Sequence, residues 1–154
     1  MEPYVTTLSS PILVSGLRLR TRNSDESDEK TALISELWRQ FFLQKIADNT
    51  PYRQASSPIY GIYTAYDGGV TGYFDVMAGV AVNQAAADAD IIEIQTGTYR
   101  VFDAHGPMPE AIIEAWGKIW CFFEQHPEMK RRFATDFESY TTAESAQIYI
   151  GILP

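Results

Sequence analysis

One cysteine, two histidines and twelve basic residues are all that this 154-residue chain offers to several common kinds of chemistry. The lone Cys121 can close no internal disulfide. Beside Trp120 and Phe122, with no basic neighbour in sequence to lower its pKa, it reads as a buried structural thiol. His105 and His126 sit in turn-like contexts, and neither has a second His or a Cys at ligand spacing, so neither a metal nor a cofactor is expected. There is no Gly-x-Ser-x-Gly elbow, phosphate-cradling loop or dinucleotide fingerprint, and Asp67-Gly68-Gly69 is explained by turn geometry. No apolar run reaches the roughly 18 residues of a membrane span, and the N-terminus lacks a basic region followed by an apolar run with a cleavage site. The expectation is a soluble, cytoplasmic protein with no membrane partner. Twelve Lys and Arg against twenty Asp and Glu give a formal charge of −8. The basic residues gather only in the short runs 18–22 and 130–132, which argues against direct contact with nucleic acid and permits a cationic or neutral ligand.

Aromatic residues, by contrast, are plentiful: nine Tyr, eight Phe and three Trp make up 13% of the chain. A core of this size does not need so many tyrosines. Tyr is the aromatic that most often faces a pocket, because its hydroxyl wants a partner while its ring offers an apolar or cation-attracting surface.

The hydrophobic spacing predicts one domain over 1–154. Residues Tyr4 to Arg22 read as extended, with Gly16 a bulge that switches phase between Ile12, Val14 and Leu17, Leu19. A helix is predicted from about Asp28 to Ala47, capped by Ser27 or Asp28, with Leu33, Ile34, Leu37, Trp38, Phe41, Phe42 and Ile46 inward. Strands at Ser57 to Tyr66 and Thr71 to Val82 form a hairpin across Asp67-Gly68-Gly69, and Ile91 to Thr96 with Tyr99 to Ala104 a second across Gly97. Pro109 and Glu110 open another helix, on which Ile112, Ile113, Trp116, Ile119, Trp120 and Phe123 share a face, and His126-Pro127 close it. Strands Phe137 to Thr141 and Ala146 to Ile152 follow.

This order runs strand, helix, strand, strand, and then repeats. Ile34-x-Glu36-x-Trp38 echoes Ile112-x-Glu114-x-Trp116, and Val76-Met77-Ala78-Gly79-Val80 echoes Ile148-Tyr149-Ile150-Gly151-Ile152. The fold expected is therefore α+β: duplicated β-α-β-β units with pseudo-two-fold symmetry, repeat one at about 4–82 and repeat two at about 91–154. Neither half buries its apolar faces alone, so an antiparallel sheet should carry both helices on one face. A cleft falls along the seam between the halves.

In Phe137-Glu138-Ser139-Tyr140 the side chains alternate, so Glu138 and Tyr140 share a sheet face and Phe137 takes the other. If the Glu138 face looks toward the helix, a carboxylate lies under tryptophans. The plain alternative is a solvated strand carboxylate. A functional one would be partly desolvated among rings, attracting a cation that water would otherwise screen. The candidate ligand-binding set is Glu138, Trp116, Trp120, Tyr63, Tyr140 and Tyr149.

Val14-Ser15-Gly16-Leu17, Tyr60-Gly61-Ile62-Tyr63, Phe137-Glu138-x-Tyr140 and Ile148-Tyr149-Ile150-Gly151-Ile152, in this order, resemble the GyrI-like family, the effector-binding domain also attached to AraC-type and MerR-type regulators. The resemblance covers nearly the whole chain. It implies two β-α-β-β repeats and a groove between them for small, often cationic and aromatic compounds, with the glutamate of the Phe-Glu-x-Tyr segment, here Glu138, as counter-charge. Regulators of that family carry a helix-turn-helix before this domain, whereas here the first strand begins near Met1; a regulatory role would then require a separate protein partner. The reading is a stand-alone binding domain for cationic or amphipathic aromatic small molecules, acting as a sensor or sequestering protein. Its rivals are a hydrolase in which Glu138 activates water and Tyr63 assists a leaving group, and an acidic modulator of a protein partner, of the gyrase-inhibitor type.

Overall fold

The computed structural model describes residues 4–28, 30 and 32–154. Alternating side chains and turn residues divide the chain into strands β1 (Tyr4–Leu8), β2 (Ile12–Arg22), β3 (Ile59–Asp67), β4 (Tyr73–Ala81), β5 (Ile91–Ile94), β6 (Gly97–His105), β7 (Thr135–Thr142) and β8 (Ser145–Ile152). The helices are α1 (Asn23–Glu26), α2 (Ile34–Leu43), α3 (Ile46–Asn49) and α4 (Glu110–Gln125). None of the described helices is long and apolar enough to cross a membrane.

All eight strands join one antiparallel sheet in the order β1-β6-β8-β7-β3-β4-β2-β5. Read outward from the β7–β3 seam, this order is a palindrome of the two halves. Ile62 pairs with Met77 on one side and Phe137 with Tyr149 on the other, while Ile62 and Phe137 pair with each other. The pseudo-two-fold axis thus passes through the Ile62–Phe137 pair and makes Tyr63 the counterpart of Glu138, and Gly61 of Asp136. The outermost strands are exchanged: β1 pairs with β6 of the second half, and β5 with β2 of the first. The predicted hairpin between β5 and β6 is therefore wrong. Gly97 has a φ of 139°, and the chain passes through it into a different part of the sheet instead of folding back.

Both long helices lie on one sheet face, as the apolar stripes require. Leu37 and Phe41 of α2 pack on Phe74, Val76, Ala78 and Val80, and Ile112, Ala115 and Ile119 of α4 on Phe102, Ala104, Ile148 and Ile150. The sheet curls away from the helices around a third cluster with Val14, Tyr60, Ile62, Met77, Tyr99 and Phe137 at its centre. Inside this curl the backbone N–H of Gln95, just past β5, donates to Thr135 of β7 (3.1 Å), although three strands separate β5 from β7 in the sheet.

With both sheet faces covered, hydrophobic residues can change face without a change of phase. The β2–β4 register runs unbroken from Val14 to Arg22, so the bulge expected at Gly16 does not exist. The first predicted helix is also shorter than its periodicity suggests. The Glu26 carboxylate accepts the N–H groups of Leu33 (2.9 Å) and Ile34 (3.0 Å), starting α2 later than a Ser27 or Asp28 cap would; Glu29 and Thr31 lie outside the described residues. Lys45, at φ 52°, ends the run before α3. Cys121, expected in the core, is exposed on α4.

Candidate functional site

Strand β7 carries two acidic side chains on the helix-bearing face, and both are buried: Asp136 at 0% and Glu138 at 2% exposure. Alternation puts Tyr140 beside them and Phe137 on the other face, as expected. Tyr63 reaches the same place from β3, and Trp116 comes down from α4.

Glu138 accepts three hydrogen bonds. Tyr63 Oη (2.8 Å) and Trp116 Nε1 (2.6 Å) donate to Oε2, and Tyr140 Oη (2.8 Å) donates to Oε1. The rings brace one another: Tyr63 meets Trp116 edge to face at 5.2 Å, and Trp38 of α2 meets Tyr140 in the same way at 5.4 Å. Gly61, opposite Glu138 in the sheet, lets the carboxylate lie close, since a Cβ there would stand 2.5 Å from Oε1 and 3.0 Å from Trp38 Cζ2. Burial raises the Glu138 pKa above the ordinary 4.5, and the donors from Trp116, Tyr140 and Tyr63 oppose that rise. Burial, together with the neighbouring carboxylate, raises the pKa of both tyrosines, which keeps them protonated as donors.

Above this cluster a cavity of about 1100 Å³ opens between α2 and α4. Ile113, Trp116 and Trp120, spaced three and four residues apart on α4, form one wall, while Trp38 and Phe42 form the other. That spacing explains why the predicted apolar face of α4 divides. Ile112, Ala115 and Ile119 face the sheet, whereas Ile113 (66% exposed) and Trp120 (45%) turn toward the opening.

Asp136 has a different environment. Arg131 Nη2 donates to it at 2.7 Å, the N–H of Gly151 donates at 2.8 Å, and the Tyr66 hydroxyl donates to the same oxygen as Arg131. Tyr66 lies three residues after Tyr63 and ought to face the other way. Ala65, at φ 53°, forms a bulge between Thr64 and Asp67 that turns Tyr66 back to the helix side.

Four of the predicted residues therefore converge: Glu138, Tyr63, Tyr140 and Trp116. Trp120 lines the cavity and leans on Trp116 at 6.5 Å between centroids. Tyr149 is a correction. It lies on the opposite sheet face, stacked at 4.4 Å and 6° on Phe137, because it pairs directly with Phe137 and cross-strand partners share a face. Sequence reasoning missed Trp38 and Gly61 as parts of the site, and the Asp136–Arg131–Tyr66 group beside it. A signal for Trp38 was present, since the helix echo makes it the counterpart of Trp116.

A family model described as integron-associated effector binding protein matches residues 9–152. An integron cassette protein from the mobile metagenome of Vibrio cholerae has a structure that superimposes with a TM-score of 0.83 at 31% identity, covering 98% of this chain and 95% of that one. SAV2435, whose structure was solved bound to tetraphenylphosphonium, superimposes with a TM-score of 0.81 at 19% identity, covering 99% and 94% of the two chains, and so shares the fold. YobU of Bacillus subtilis strain 168, whose name proposes a transcriptional regulator, is 27% identical over 130 residues, 82% of this chain and 79% of its own.

Proposed function

The chain belongs to the integron-associated effector binding protein family, and from that premise we propose that it binds a lipophilic aromatic cation in the cavity over Glu138, as a sensor or a sequestering protein. The observation that carries this reading is the company Glu138 keeps. It is a buried carboxylate in a cavity wall, and the three groups that donate to it are all neutral. A buried charge without a counter-ion is costly, and a cation arriving among ring faces relieves that cost while gaining roughly 0.5 to 2 kcal/mol per good ring contact. Tetraphenylphosphonium on SAV2435, a protein of the same fold, is a ligand of this kind. Hydrolysis is disfavoured by the same geometry, because Tyr63, Trp116 and Tyr140 already donate to the two carboxylate oxygens and so compete with a water for the lone pairs a general base must offer.

Titration with monocationic and anionic aromatic dyes of matched size tests the reading. Micromolar affinity for the cations and much weaker binding of the anions is the expected result. Equal affinity for both would mean that the cavity is merely apolar and that the charge of Glu138 plays no part.

A further inference from the structure

The manner in which Glu138 is hydrogen-bonded restricts which cations it can serve. A carboxylate has about four acceptor positions, two on each oxygen. On Oε2 both are taken, by Tyr63 Oη and Trp116 Nε1. On Oε1 one is taken by Tyr140 Oη, and the same oxygen lies against the Gly61 backbone, so close that a Cβ on Gly61 would stand 2.5 Å from it. At Glu138 an incoming N–H therefore meets a carboxylate whose accepting positions are crowded. The Tyr63 and Tyr140 hydroxyls have their hydrogens committed to Glu138, so beside this carboxylate they can offer an N–H only neutral oxygens.

We propose that the cavity selects cations that bring no hydrogen-bond donors, such as quaternary ammonium, phosphonium or N-alkylated aromatic cations, over primary ammonium ions of the same size, and that Tyr140 sets this preference. The inference rests on the cation-binding reading and sharpens it. Both kinds of cation gain the same attraction to the carboxylate and the same ring faces from Trp38, Tyr63 and Trp116. They differ in what they give up. A primary ammonium enters with three N–H groups that water had satisfied, whereas a quaternary centre has none to strand. Tyr140 is the determinant because, among the described residues, it alone donates to Oε1. Its removal frees a lone pair without touching the two bonds on Oε2.

The test is calorimetric titration of a matched pair, 2-naphthylmethyl-trimethylammonium and 2-naphthylmethylammonium, at a pH where both are charged. In the wild type the quaternary compound should bind about ten-fold more tightly or better. In Tyr140→Phe the ratio should narrow to about three-fold, mainly through tighter binding of the primary amine. A second measurement on the wild type alone, with the mono- and dimethylated intermediates, should show affinity rising with each N–H replaced, which keeps the test decisive if Tyr140→Phe folds poorly. Equal affinity across that series, or an unchanged ratio in folded Tyr140→Phe, overturns the selection rule and leaves cation binding intact. Absence of binding by every member of the series overturns the parent reading and this one together.

Discussion

Asp136 and Glu138 stand two residues apart on one strand, face the same way and are both buried, yet the fold treats them oppositely. Asp136 is given a cation of the protein's own, Arg131, itself only 8% exposed, and a backbone N–H from Gly151. Glu138 is given two hydroxyls and an indole. The first arrangement neutralises charge within the molecule and is complete. The second satisfies most of the hydrogen-bonding capacity of a carboxylate and leaves its charge uncancelled beside an open cavity. Burial and an acidic side chain are thus common to a structural group and to the proposed binding group; the identity of the donors separates them.

The sharpest way to break this comparison is to remove each charge in turn. Asp136→Asn leaves the Arg131 guanidinium buried without its partner, a change expected to cost about 3 to 5 kcal/mol of stability in urea unfolding. Glu138→Gln should cost little or nothing in the same experiment, because an amide is easier to bury than a lone carboxylate. Cation affinity should nevertheless fall by about 2 to 5 kcal/mol, with neutral ligands of the same shape losing far less. If the two variants lose stability alike, or if Glu138→Gln keeps its cation affinity within about three-fold, the two carboxylates do the same work.

Gly61→Ala probes the space under Glu138. The added methyl would meet Oε1 and the Trp38 ring, so one of them must shift, at a cost of about 1 to 3 kcal/mol in unfolding free energy and with weaker cation binding. Full stability and full affinity together would show that the carboxylate has more freedom than its contacts imply.

The smallest effect concerns pH. Because burial raises the folded-state pKa of Glu138 above its unfolded value, the carboxylate destabilises the ligand-free fold above the raised pKa. That penalty is relieved as pH falls through the raised pKa toward the ordinary 4.5. Cation affinity should run the other way, falling over the same interval as the counter-charge is protonated. Wild type minus Glu138→Gln, measured for both stability and binding, isolates this group. A difference that does not change with pH would mean that Glu138 does not titrate there.

Much of this arrangement could be read from residue order, and the failures have identifiable causes. Alternation in Phe137-Glu138-Ser139-Tyr140 depends only on local backbone geometry, so it placed Glu138 and Tyr140 together and Phe137 apart. The same rule failed for Tyr149. Alternation sets Tyr149 on the face opposite Ile148, Ile150 and Ile152, but both faces of the sheet are covered, and only the register opposite Phe137 decides which face is which. Tyr66 was hidden by the bulge at Ala65, since nothing about alanine announces a left-handed backbone. The pairing of β5 with β2 joins distant segments, and no local signal distinguishes it from a hairpin across Gly97.

The exchange of outer strands also bears on how the chain is made. Strand β1 is made well before its partner positions, which run from Gly97 to Val101. At a synthesis rate of about 5 to 20 residues per second, it waits on the order of five to twenty seconds before its partner exists. β2 can pair with β4 much sooner, yet its other edge stays bare until β5 appears. During that interval the nascent first half presents unsatisfied backbone along β1, β2 and, until β7 emerges, β3, the condition under which neighbouring nascent chains can cross-pair. Faster translation through residues 9–101 should therefore shorten this exposure and raise the share of the protein recovered soluble from a crowded polysome.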